Sequence, residues 1–149
     1  MTSADVADPD RGFLADLHQD ELAVVLEYTQ ARQYAAGDFG VHEGELDRSF
    51  FIISRGSFEV LVPTADGPQR VRVLEAGDLF GEVAFFDGRP RSADVVALEP
   101  AEALVLSPGA FQRLRLAHPR LALHFVLDLG RILSERFRAS DALAGALDR

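Results

Sequence analysis

Glu82 and Arg91, residues of opposite charge, stand in a stretch built unlike the rest of the chain. Residues 77–93 read GDLFGEVAFFDGRPRSA and interrupt a pattern of short apolar runs. Glu82 to Phe86 has room for about one helical turn, and Asp87-Gly88 ends it. A helix start beside Gly81 leaves backbone N–H groups pointing one way, which suits an anion. Gly81 has no Cβ and permits a close backbone approach. Arg91 offers a guanidinium fork for phosphate oxygens. Ser92 adds a hydroxyl and Ala93 an uncrowded backbone N–H. Taken singly, these residues have blander readings: Gly81 and Gly88 as turn glycines, Glu82 with Arg91 as a structural ion pair.

A carboxylate opposes a phosphate unless the ligand also carries a sugar. Ionised Glu82 is acceptor-only and can hold a ribose 2′-OH. Arg91 nearby keeps Glu82 ionised and lowers the cost of burying both. One Arg with several amides matches the single negative charge of a cyclic phosphodiester. ATP calls for a Lys-bearing glycine-rich loop and a Mg²⁺ site, and the sequence has no such loop.

The elements that hold this stretch follow from periodicity. Leu22, Val25, Leu26 and Thr29 recur at helical spacing behind Asp20 and Glu21, which predicts a helix over about residues 18–30. From Arg32 to about Ser107, turn signals such as Gly37-Asp38, Arg55-Gly56, Asp66-Gly67-Pro68 and Gly77-Asp78 separate runs rich in Val, Phe and Ile. Strands are expected at 50–53, 58–62, 71–74, 94–98 and 103–106. Many short strands at regular spacing favour a sandwich or jelly roll over a parallel sheet. Phe111, Leu114 and Leu116 mark a short helix that stops before Pro119. Leu121, Phe125, Leu129, Ile132, Leu133 and Phe137 then mark a longer one. The expected architecture is mainly β with flanking helices: an eight-stranded jelly-roll barrel with an N-terminal helix, the short helix at Glu82 and C-terminal helices. Residues 1–149 read as one domain, with 1–12 a loose lead and 140–149 a tail that frays or extends the last helix.

Composition bounds the function. The net charge is −9, from 15 basic and 24 acidic residues, and every basic residue is Arg. Such acidity argues against bulk nucleic-acid binding but leaves room for a local anion site. Without Cys, disulfides and thiolate metal sites are excluded. The four His are scattered, with no spacing that suggests a metal centre. No nucleophile–base pair stands out. The N-terminus lacks a secretory pattern, and no apolar run approaches the roughly 20 residues of a membrane span. A soluble cytoplasmic protein with no membrane or nucleic-acid partner is the expectation.

At these residues the chain resembles the cyclic nucleotide-binding domains of bacterial catabolite-activator-type regulators, kinase regulatory subunits and gated channels. Gly81-Glu82-Val83-Ala84-Phe85-Phe86, then Arg91-Ser92-Ala93, is similar to their phosphate-binding cassette. Gly37-Asp38, Glu43-Gly44, residues 51–56 and residues 74–80 extend the resemblance, which covers roughly residues 18–137. It implies that Glu82 binds the ribose 2′-OH and Arg91 the cyclic phosphate. Gly81, Ser92 and Ala93 donate to phosphate or ribose, Val83 and Ala84 complete the cassette, and Val73 and Phe80 wall the base. Where the bacterial activators place a threonine–serine pair, this chain has Arg136 and Phe137, which makes Arg136 a candidate cap or cation–π partner of the base. The implied function is a non-catalytic sensor for cAMP in preference to cGMP, with no metal. Its last helix relays to an effector protein that the sequence does not name, or forms a homodimer. A helix-turn-helix needs two more helices, and residues 140–149 are too few for it. The rival readings are an interaction domain with a vestigial pocket and a cupin-like metal-binding jelly roll.

Overall fold

The computed structural model describes residues 13–147, with side chains through residue 139. The expected lead at 1–12 and the last two positions lie outside the described residues. Helix α1 spans Gln19–Glu27, shorter than expected. His18 and Glu21 close a capping box at its start, and Gln30 belongs to the first strand. Eight strands follow among the described residues: β1 Gln30–Tyr34, β2 Phe39–Val41, β3 Phe50–Arg55, β4 Ser57–Thr64, β5 Gly67–Glu75, β6 Leu79–Phe80, β7 Asp94–Ala97 and β8 Ala101–Leu106. The short helix α2, Glu82–Asp87, lies between β6 and β7. Helices α3, Pro108–Ala117, and α4, Pro119–Leu147, close the chain. Ser107 caps α3, its Oγ accepting from the Ala110 N–H at 3.1 Å, and Pro108 fills the first helical position. The stretch from 140 to 147 thus continues the last helix.

The strands form two antiparallel four-stranded sheets, ordered β1-β8-β3-β6 and β2-β7-β4-β5. This is the jelly roll that the turn spacing predicts. The expected strand 58–62 bulges between Val60 and Leu61 in its pairing with β5, which re-aims the residues beyond it.

Adjacent residues of β3 join two cores. Phe50 and Phe51 are both fully buried, and strand geometry turns successive side chains to opposite faces. Phe50 packs with Phe13, Phe125, Leu114 and Leu129 beneath the helices. Phe51 faces the barrel interior, where its ring stacks on Phe80 with centroids 4.5 Å apart. Each buried aromatic contributes about 1.5–3 kcal/mol by removing apolar surface from water. Phe80 immediately precedes Gly81, so the barrel core sets the start of the cassette.

Candidate functional site

The backbone turns sharply at Gly81. Its φ of +82° is left-handed, and an added Cβ would lie 2.8 Å from the Ser49 carbonyl oxygen and 2.9 Å from Arg91 Nη1. Glycine is required there for conformation and for space. Helix α2 starts at Glu82 and ends at Gly88, also left-handed with φ +69°. The chain then runs exposed through Arg89 and Pro90 before Arg91 turns inward.

Arg91 is 4% exposed. The β2–β3 loop clamps its backbone: Gly44 N–H donates to the Arg91 carbonyl and Arg91 N–H to the Glu45 carbonyl, each at 2.8 Å. Nη1 donates to the Gly81 carbonyl at 3.0 Å and Nη2 to the Ser49 carbonyl at 2.9 Å. Asp47 Oδ2 lies 3.3 Å from Nη2, and the Phe51 ring lies 5.7 Å from the guanidinium carbon. Burial opposes the Asp47 carboxylate, but the Ser49 contacts and Arg91 outweigh it and hold the carboxyl below its ordinary range. The charge is therefore fixed on both sides. Arg91 Nε is buried with no partner among the described residues. A buried donor left unsatisfied costs about 1–3 kcal/mol.

Glu82 does not pair with Arg91, so the blander reading of the two as a structural ion pair does not hold. Its Oε1 accepts from Arg136 Nη1 of α4 at 2.9 Å, and Arg136 Nη2 donates to the Leu79 carbonyl at 3.2 Å. These side chains are 13% and 19% exposed. The pairing follows from topology, because α4 returns across the cassette and Asp47 has already taken Arg91.

Glu82, Arg91 and Arg136 line one cavity of about 280 Å³, near the small end of the ligand-pocket range. Gly81, Val83, Ser92, Ala93 and Phe80 line it as well. Two of the residues singled out in the sequence do not. Val73 is 41% exposed and is not among the lining residues, whereas its neighbours Arg72 and Leu74 are. Ala84 is 3% exposed and faces the protein interior, one step past Val83 around the helix. Val41, Val60, Val71 and Val95 supply the apolar wall instead.

Arg72 went unnoticed in the sequence, where it reads as the polar member of a Val-Arg-Val alternation. It lines the cavity from β5. Burial, with Arg136 adding to it, pushes its guanidinium below the ordinary value, while Glu82 and Asp78 act the other way. Three guanidiniums and the Glu82 carboxylate thus line the cavity, with Asp47 3.3 Å from Arg91 and Asp78 acting on Arg72. Among the described residues no group of three or more His, Asp or Glu is placed to hold a metal ion, so a cupin-like centre has no ligand set there. No helix among them is long and apolar enough to cross a membrane.

Comparison with known proteins places this architecture. Residues 31–118 match the family model of the cyclic nucleotide-binding domain. A cGMP-dependent protein kinase, isozyme 1, of Drosophila melanogaster is 36% identical over 105 residues, covering 68% of this chain and 14% of that kinase. A cAMP-activated global transcriptional regulator of Pasteurella multocida is 31% identical over 121 residues, covering 80% of this chain and 58% of the regulator. A cyclic nucleotide-binding domain from Methylobacillus flagellatus superposes with a TM-score of 0.81 at 28% identity, over 89% of this chain and 75% of that one. The chain belongs to the cyclic nucleotide-binding domain family, a regulatory family found in kinase regulators and bacterial transcription regulators. It spans only part of the length of these two curated relatives.

Proposed function

We propose that the cavity binds a 3′,5′-cyclic nucleotide and that the chain is a non-catalytic sensor, with α4 relaying occupancy to a partner. The observation that carries this reading is that Arg91, buried and with its Nε unpartnered, lines the same cavity as Glu82. A singly charged ring phosphate supplies the acceptor that Nε lacks, and Ser92 and the Gly81 and Ala93 amides add donors. Glu82 takes the ribose 2′-OH. Phe80 and the valines beside it cover the purine, with Val83 at the cassette's edge and Arg136 as the capping side chain. Ala84 anchors the cassette helix from beneath. The relay ends on another protein or on a second copy of this chain.

The Arg-Ser-Ala run favours cAMP. Arg72 favours a second reading, cGMP. A guanidinium fork matches the paired O6 and N7 acceptors of guanine, whereas adenine presents an amino donor in place of O6. The difference is worth about 1–3 kcal/mol per well-formed bidentate pair. Calorimetric titration of the full chain, freed of copurified nucleotide, tests both readings. Binding of a 3′,5′-cyclic nucleotide is expected. A cGMP preference that Arg72→Ala erases supports the second reading, and a cAMP preference indifferent to Arg72 supports the first. No heat from either nucleotide at millimolar concentration removes the sensor assignment and leaves a vestigial pocket.

A further inference from the structure

Gly40 is the half-buried middle residue of β2. Its φ is not left-handed, so the backbone conformation does not call for glycine there. Space does. A Cβ at this position would lie 2.9 Å from Phe80 Cζ and 3.0 Å from Phe80 Cε2. Carbon atoms pack best about 3.5–4.0 Å apart, so the ring would have to move. The pairing of β2 with β7 also shifts register here, with Phe39 opposite Val96 and Val41 opposite Val95. Glycine inside a strand marks such irregularities and the close approach of another group.

Phe80 has no room to yield into the barrel. It is 2% exposed, its ring stacks on Phe51 with the planes 9° apart, and the Phe58 ring lies 5.1 Å away. Phe51 and Phe58 are themselves fully buried. The side left to the ring is the cavity, which Phe80 lines together with Val41 and Val95. Val41 follows Gly40 in β2, and the Val95 carbonyl oxygen would lie 3.5 Å from the added Cβ. Gly40 does not line the cavity, but three of the residues that do meet around it.

We propose that Gly40 is a positioning residue that sets the size of base the cavity accepts. Lacking a side chain, it lets the Phe80 ring sit back and leaves room for a purine. This rests on the assignment of the cavity to a cyclic nucleotide. A cavity of about 280 Å³ has little volume to give up. A purine is two fused rings and a pyrimidine one, so a wall that advances toward the base excludes the purine first. Gly40 acts on the base only through Phe80.

Calorimetry of the full chain with cAMP, cGMP and the pyrimidine nucleotide cyclic CMP tests this. Gly40→Ala is expected to weaken both purine nucleotides by about tenfold or more, the scale of one methylene in an apolar pocket, and cyclic CMP distinctly less. Phe80→Leu removes the ring that the new β-carbon would strike. In that background, adding Gly40→Ala is expected to change neither the urea midpoint nor the affinity for either purine nucleotide. This comparison decides the matter even if Gly40→Ala alone does not fold. Equal weakening of all three nucleotides, undiminished purine binding by Gly40→Ala, or the same loss in the Phe80→Leu background overturns the role of Gly40 and leaves the sensor reading intact. Absence of binding of all three nucleotides by the parent chain overturns the sensor reading and the role of Gly40 with it.

Discussion

A β-carbon at position 81 would meet a backbone carbonyl and the guanidinium of Arg91 at once. The left-handed backbone there costs an alanine about 1–2 kcal/mol before any clash. Gly81→Ala is therefore expected to lower the urea midpoint and, by displacing Arg91, to weaken nucleotide binding as well. An unchanged midpoint and affinity would show that Arg91 does not depend on this turn. Residue types made Glu82 and Arg91 legible in the sequence, because a carboxylate and a guanidinium flanking a glycine turn suggest sugar and phosphate. Their partners were not legible. Asp47, Ser49 and Arg136 reach the site from a loop and a helix far along the chain, and no local spacing announces such contacts. Arg72 was hidden for a different reason: an arginine between two valines on a strand looks like the solvent side of an alternation.

At the scale of elements, the strands with strong apolar content were readable and those without it were not. Strand β1 has one buried residue, Tyr34, and β2 and β6 are three and two residues long. Periodicity needs more residues than that, so these strands exist through pairing with β8, β7 and β3. Helix α4 was read as apolar along one face; Leu121, Phe125 and Leu129 of that face are buried, but Phe137, expected there too, is not, and other apolar residues also lie outside the core. Leu123, Leu127 and Phe137 are 59%, 64% and 70% exposed. With Gly130 and Ser134 they follow the alternating four-and-three spacing of a helix-pairing seam. A homodimer through this helix, one of the two outputs read from the sequence, would use that seam. Sedimentation velocity is expected to show a dimer for the parent chain at tens of micromolar (about the range for a modest interface) and a monomer for Leu127→Glu. A parent chain that sediments as a monomer at every accessible concentration contradicts the seam.

The whole molecule places a small cavity lined by three arginines in a body of net charge −9. Long polyanions meet a repulsive surface, while a small anion needs only the local field of the cavity. Phe50 and Phe51 tie the helix-side core to the barrel core, so Arg91, lying against Phe51, and Phe125 of α4, lying against Phe50, are braced by one strand. In the proposed complex a ring phosphate supplies the acceptor missing at Arg91. Calorimetry of Arg91→Leu beside the parent chain tests it most directly. A loss of about 2–5 kcal/mol in cyclic nucleotide binding is expected, as when one member of a buried charge pair is removed. Affinity within experimental error of the parent chain would mean that the guanidinium braces the barrel and holds no ligand.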